Sequence, residues 1–313
     1  MNGRSNPPLL VIAGATATGK TGLAIRVATQ LVAEGIRAEI ISADSRQVYR
    51  GLDIGTAKAT EEERAGIPHH GLDLVEPDEP FTLADFSAHA GTALATIAER
   101  GGIAILVGGT GLYLRAIARG IATDALPADP DVRARIEEEL ATEGLDLLLA
   151  RLLDLAPGRA ARVDARNPRR VVRALEIAEL QGDEAPPPPR GYSGPVAWIG
   201  LRLEHAVHRE WIANRARAQF EAGLIEEARS LRDRYDPSLP AFSAIGYREA
   251  WSVIDGQATL EQAIDADAAR NVRFAKRQRT WFRAEPDIAW LDASDSRQAA
   301  TTIADAARRL ARV

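Results

Sequence analysis

Residues 14–21 read GATATGKT, directly after the apolar run PLLVIAG (8–14) and at the head of a segment, Gly19 to Val32, with apolar residues at helical spacing. A strand, a glycine-bearing turn and a helix in that order are the setting in which GxxxxGK[ST] cradles phosphate. Gly14, Ala15, Thr16, Ala17, Thr18, Gly19, Lys20 and Thr21 would fold backbone N–H groups around an anion. The positive end of the helix dipole adds to that potential. Lys20 would reach phosphate oxygens, and the Thr21 hydroxyl would ligate Mg²⁺. The loop calls for a phosphate or diphosphate, whether cofactor tail, transferred group or leaving group. It does not by itself call for ATP. An ordinary strand-to-helix turn is the plainer alternative.

Outward from the loop, AEIISAD (38–44) is a second buried strand and GGIAILVGGTGLYLRAI (101–117) a third, which turns at Gly108–Gly109 into another helix. Alternating strands and helices predict an α/β fold with a parallel sheet covered on both faces. Asp44 sits at the carboxyl end of the second strand, the edge that borders the ligand crevice in such sheets. With Ser45 and Gln47 it forms a polar cluster. It suits a base that takes a proton from an incoming nucleophile, and equally a cap on the following turn. Gly108, Gly109 and Gly111 permit close approach to a ligand and Thr110 offers a hydroxyl, or they make a simple turn. ILVGG lacks the aspartate expected of a plain ATPase at that strand end.

From Pro127 the pattern changes. Residues 129–157 and 166–182 have helical period, with Pro168 near the start of the second stretch, and DEAPPPPRGY (183–192) is a polyproline-like linker. VAWIGLRL (196–203) returns to strand character, 208–235 reads as one long helix, and DIAWLD (287–292) as a last strand. The division predicted is an α/β core, 1–125 and 196–313, interrupted by a helical insertion at 126–195.

Composition narrows the chemistry. The 313 residues contain no Cys, which excludes thiol nucleophiles, disulfides and Cys-held metals, and suits a reducing compartment. The N-terminal apolar run is too short for a leader, and no run approaches a membrane span, so a cytoplasmic protein with no membrane partner is predicted. His69–His70 lacks metal-site spacing and is predicted to be a structural loop. Net charge is −5, yet RNVRFAKRQRTWFR (270–283) carries six cations and no acid, with Phe274, Trp281 and Phe282 between them. Arg162, Arg166, Arg169, Arg170 and Arg173 repeat the theme in the insertion against Asp164. These stretches fit RNA backbone contacts with stacking surfaces, a clamp on diphosphate, or a solvated helix face.

The motifs together resemble the tRNA dimethylallyltransferase (isopentenyltransferase) family. GATATGKT, SADSRQVYRGLDIGTAK, GIPHHGLDLVEPDEPFTLADF, LVGGTGLYLRA, RNPRRVVRALEI, AGLIEEA, AIGYREAW and AKRQRTWFR occur in the family's order along most of the chain. The resemblance implies a P-loop core of the nucleotide-binding, ATP-binding type, a helical insertion, and Mg²⁺-dependent transfer of a dimethylallyl group. The donor would be dimethylallyl diphosphate. The acceptor would be the exocyclic amine of the adenine on the 3′ side of the anticodon, presented by the tRNA anticodon stem-loop to a monomeric enzyme. Asp44, Lys20 and Thr110 would serve catalysis. Contacts to tRNA would come from Asp44, Ser45, Arg46 and Gln47; from Thr110; from Arg169, Arg170, Val171, Val172 and Arg173; from Ser243, Ala244, Ile245, Gly246, Tyr247 and Arg248; and from Lys276, Arg277, Gln278, Arg279, Thr280, Trp281, Phe282 and Arg283. Asn271 and Val272 stand where the family often has Thr-Arg, and LQGDEAPPPPRG (180–191) replaces its Thr-Gly-Lys-Pro. A small-molecule P-loop kinase and a non-catalytic tRNA-binding protein are the competing readings of the same residues.

Overall fold

Every residue of the run Leu9–Gly14 is buried, and it forms the central strand β1. In the computed structural model, which describes residues 6–123 and 126–312, the remaining elements follow in chain order. They are α1 (Lys20–Ala33), β2 (Ala38–Ser42), α2 (Glu61–Arg64), β3 (His69–His70), α3 (Leu83–Glu99), β4 (Ile103–Gly108), α4 (Gly111–Ala118), α5 (Pro130–Glu143), α6 (Leu145–Leu155), α7 (Pro157–Ala160) and α8 (Pro168–Gln181). Then come β5 (Val196–Arg202), α9 (His205–Glu221), α10 (Leu224–Arg232), a 3₁₀ turn (Pro240–Ser243), α11 (Tyr247–Ile254), α12 (Leu260–Arg283), β6 (Ile288–Asp292) and α13 (Ser296–Ala311).

The strands make one six-stranded sheet in the order β3-β2-β4-β1-β5-β6, and every pairing is parallel. Val11 of β1 faces Leu106 on one side and Trp198 on the other. Side chains alternate along a strand. Leu10 and Ile12 therefore join Leu23, Val27 and Leu31 of α1 and Ile303 of α13 in one core. Leu9, Val11 and Ala13 join Phe86 and Leu94 of α3, Leu114 of α4 and Phe282 of α12 in the other. Burial on both faces explains the unbroken apolar runs. Phe86 and Tyr113 stack at 4.0 Å within the second core. A third core seats Val48, Tyr49 and Leu52 against Phe220, Leu224, Leu231 and Tyr247 of α9, α10 and α11.

Helix starts follow their caps. Thr82 with Asp85 closes a capping box at α3 and Thr259 with Gln262 one at α12. Asn167 with Pro168 opens α8, and Asp129 with Pro130 opens α5.

The chain divides into two units, residues up to Gly120 with those from Gly191 onward, and Ile121–Arg190. The helical unit thus spans 121–190 rather than 126–195. Residue 125 of the expected boundary, like the first five residues read for a leader, lies outside the described residues. Within the helical unit Ile136, Leu148, Leu152, Val171, Val172 and Leu175 form a core of their own. The carboxylate of Glu176, with no exposure, accepts from Arg133 and Arg173 there.

Two elements differ from the sequence expectation. The helix read over 208–235 is two helices, because Gly223 takes φ 103°, a left-handed cap that ends α9. His69–His70 is a short edge strand paired with Ile40 and Ile41 of β2 rather than a loop; two residues are too few to show a period. Its role is structural: His70 bonds Glu39 at 2.7 Å, and Arg100 holds the other oxygen of Glu39 at 3.0 Å. Among the described residues no helix is long and apolar enough to cross a membrane.

Candidate active site

The carboxyl ends of β1, β2 and β4 lie side by side, so three loops converge. The first is the phosphate loop. Gly19 takes φ 75° at the cap of α1, and Ala17 takes φ 57°, a left-handed conformation that only a fixed environment sustains for a residue with a side chain. Thr18 Oγ1 and Lys20 Nζ both donate to the Ala15 carbonyl, at 2.9 and 2.6 Å. Thr16 is tied from outside the loop at three atoms. Its N–H donates to Gln278 Oε1 at 2.7 Å, its hydroxyl accepts from Arg215 Nη1 at 2.8 Å, and its carbonyl accepts from His208 Nε2 at 2.8 Å. Arg279 can only donate, and it meets His208 Nδ1 at 3.0 Å, so the imidazole proton resides on Nε2.

The second and third loops brace each other. Thr110 N donates to the Ala43 carbonyl and Ser45 N donates to Thr110 Oγ1 at 3.1 Å. The approach at Gly108 is so close that an added Cβ would sit 2.1 Å from the Ala43 oxygen. Gln278 Nε2 donates to the Gly109 carbonyl at 2.9 Å. One buried amide therefore latches the phosphate loop to the loop after β4.

Two adjoining clefts open here. The inner one, about 220 Å³, is lined by Thr16, Ala17, Gly19, Lys20, Thr21 and Asp44. The outer one, about 480 Å³, is lined by Asp44, Thr110, Arg46, Arg248, Arg273 and Arg277. Asp44, Thr56, Arg215, Phe274 and Gln278 border both. Asp44 both caps and faces the clefts: one carboxylate oxygen accepts from Arg46 N at 2.8 Å, so the two readings of this residue are compatible. Burial, with the Arg215 guanidinium close by, pulls the Lys20 amine down to about 7 against the opposing field of Asp44. Burial also lowers Arg215 from its usual range, and Asp44 and Asp267 oppose that shift. At the mouth, Arg270 is neutralised by Glu249 at 2.7 Å. Arg248, Arg273 and Arg277 line the outer cleft and form no ion pair among the described residues.

Several predicted site residues face elsewhere. Gly14 packs on the Leu201 backbone, and Ala15 and Thr18 are buried away from the inner cleft. Gln47 is buried, accepting from Ser42 and donating to the Thr56 and Ala57 carbonyls at the floor of the inner cleft. Ser243, Ala244 and Ile245 do line the outer cleft. Gly246 is the cap of α11, and Tyr247 is fully buried with its hydroxyl donating to Glu227 at 2.7 Å. Phe282 lies in the sheet core, and Trp281 packs over Gly111 and under Arg115 at 4.5 Å. Lys276 and Thr280 are exposed, while Arg279 and Arg283 line a different cavity. Val171 and Val172 are core residues of the helical unit, and Arg173 is engaged with Glu176 and the Pro127 carbonyl. Arg169 and Arg170 are exposed. Arg215 and His208 in their site positions were missed, whereas Phe274, expected as a stacking surface, borders both clefts. Arg215 and His208 belong to a segment whose helical period gave no hint of function, and only the folded packing of α9 against the loop reveals them.

The IPP transferase family model matches residues 47–285. The chain is 43% identical to the tRNA dimethylallyltransferase of Roseiflexus sp. (strain RS-1), over 95% of this chain and 97% of that protein. It superposes with TM-score 0.69 on the full-length tRNA isopentenylpyrophosphate transferase of Bacillus halodurans, at 38% identity, over 97% of this chain and 98% of that one. A eukaryotic dimethylallyltransferase acting on tRNA gives TM-score 0.76 at 25% identity over 93% of this chain and 75% of its own. The P-loop α/β core, its parallel sheet and a match that spans nearly the whole chain lead to one conclusion: the protein is a prenyltransferase that belongs to the tRNA dimethylallyltransferase family.

Proposed function

We propose that the protein transfers the dimethylallyl group of dimethylallyl diphosphate to the exocyclic amine of the adenine 3′ to the anticodon of tRNA. The observation that carries this reading is the pair of adjoining clefts with Asp44 on their shared border, one end walled by the phosphate loop and the other rimmed by Arg248, Arg273 and Arg277. Binding of diphosphate in the inner cleft would point the allylic carbon toward Asp44. The C–O bond breaks, charge grows on the departing diphosphate, and Lys20, Arg215 and the loop amides stabilise it. The C–N bond forms to the adenine amine, whose proton passes to Asp44. Thr110 holds the Asp44 loop through Ser45 N. The base must leave its stack to enter, and Phe274 offers it an apolar wall at the border of the clefts.

The residues fit Mg²⁺. The Thr21 hydroxyl is a hard oxygen donor facing the inner cleft, and no described cluster of three or more His, Asp or Glu would hold a resident metal. That donor set suits an ion that arrives with the diphosphate and keeps most of its water. When bound it would offset charge on the leaving group. On this reading the enzyme acts as a monomer in the cytoplasm.

Incubation with labelled dimethylallyl diphosphate and unmodified tRNA tests the proposal. Label is expected in the anticodon-loop adenosine, with no need for ATP. ATP turnover with none of the label in RNA would favour a kinase instead.

A further inference from the structure

A third cavity, about 280 Å³, lies on the other side of the phosphate loop, between β5, β6 and the last turns of α12. It is separated from the catalytic clefts by the loop itself: Ala15 and Thr18 form its wall, while Thr16, Ala17 and Lys20 face the inner cleft. Its remaining walls are apolar, made by Leu201, Leu203, Phe282 and Trp290. Its cations are Arg202, Arg279 and Arg283. Arg202 shares its field with Asp292, its cross-strand neighbour. Arg279 and Arg283 form no ion pair among the described residues. The partner of Arg279 is the imidazole of His208, buried to 1% exposure and itself lowered by burial, so a half-buried guanidinium rests on a neutral acceptor. A partly buried guanidinium without a counter-ion is costly, and a bound anion between Arg279 and the exposed Arg283 would offset that cost.

We propose that this cavity binds an amphipathic organic phosphate, its apolar body against Leu203, Phe282 and Trp290 and its phosphate between Arg279 and Arg283. The volume sits near the small end of ligand clefts, which run roughly 300–1,000 Å³, and suits a short isoprenoid or a single aromatic ring. The site reports to the phosphate loop. Phosphate competes with His208 for Arg279, and His208 Nε2 holds the Thr16 carbonyl at 2.8 Å. Occupancy therefore changes the tether on the donor-binding loop without entering the donor cleft.

Calorimetric titration with geranyl monophosphate tests the site independently of any turnover. The protein is expected to bind it saturably, and the variant Arg283→Gln, at an exposed position, to lose at least tenfold in affinity with an unchanged melting temperature. Lys20→Ala should leave this affinity unaltered while weakening pyrophosphate. Saturating geranyl monophosphate should shift pyrophosphate affinity by about fivefold or more, the usual lower bound of coupled sites. No saturable binding, or binding lost in Lys20→Ala but retained in the arginine variant, would overturn the proposal. Inorganic phosphate binding as tightly as the geranyl ester would overturn the amphipathic class, and an unmoved pyrophosphate affinity would overturn the coupling.

Discussion

Asp44 and Lys20 carry the sharpest consequences of the geometry. Asp44→Ala is expected to lower kcat by roughly 10²–10⁴-fold, the range for a positioned general base, while the affinity for dimethylallyl diphosphate, measured by titration, stays within about twofold. Near-normal kcat would remove Asp44 from proton transfer. Lys20, held near 7 by burial and by Arg215, is largely uncharged above that pH, and an arriving diphosphate raises it again. Binding of pyrophosphate near pH 8 should therefore take up a proton, seen as a buffer-dependent binding enthalpy. Affinity should be fullest below about 7 and decline as pH rises above it. A proton balance left unchanged by Lys20→Ala, a comparison that cancels the titration of pyrophosphate itself, would mean the lysine does not meet the anion. Both residues were legible from their place in motifs. Arg215 was not, because an arginine on a polar helix shows its burial only when the helix is packed.

At the scale of elements, α12 does two jobs that its composition conceals. The basic run 270–283 looks like one RNA-facing surface. Helical rotation instead sends Arg273 and Arg277 to the outer cleft, Gln278 inward to the loops, and Arg279 and Arg283 to the far cavity. Gln278→Leu should leave the Thr16 N–H and the Gly109 carbonyl without their partner. The expected cost is about 1–3 kcal/mol of stability, read by denaturant unfolding, together with a raised KM for the donor and an unchanged Kd for tRNA. A weakened Kd for tRNA with an unaltered donor KM would return Gln278 to the RNA surface where the family resemblance put it. The strands other than β3 were readable because each has a run of apolar residues at its centre, unbroken in β1 and β4. The break at Gly223 and the two-residue β3 were not, since one glycine is tolerated within many helical patterns and an edge pairing depends on its partner strand.

For the whole molecule, an acidic chain with net charge −5 must bind a polyanion through local charge alone. Affinity for the anticodon stem-loop should fall linearly on a log–log plot against salt. Replacing Arg248, Arg273 or Arg277 with Ala should make the slope shallower by about 0.7 per lost phosphate contact, and a slope unchanged in all of these variants would place the RNA elsewhere. The core-plus-insertion plan was legible from the change of period near Pro127. The outer edge of the insertion was displaced because the polyproline stretch gives no periodic signal to mark where packing ends. The most direct test of the two-cleft account is a crystal structure with the anticodon stem-loop and a non-hydrolysable thio analogue of dimethylallyl diphosphate. The diphosphate is expected against Ala17, Gly19, Lys20 and Thr21, with the adenine amine at hydrogen-bond distance from Asp44. A diphosphate lodged instead beyond Ala15 and Thr18, or an adenine still stacked in its loop with Asp44 facing no base, would contradict it.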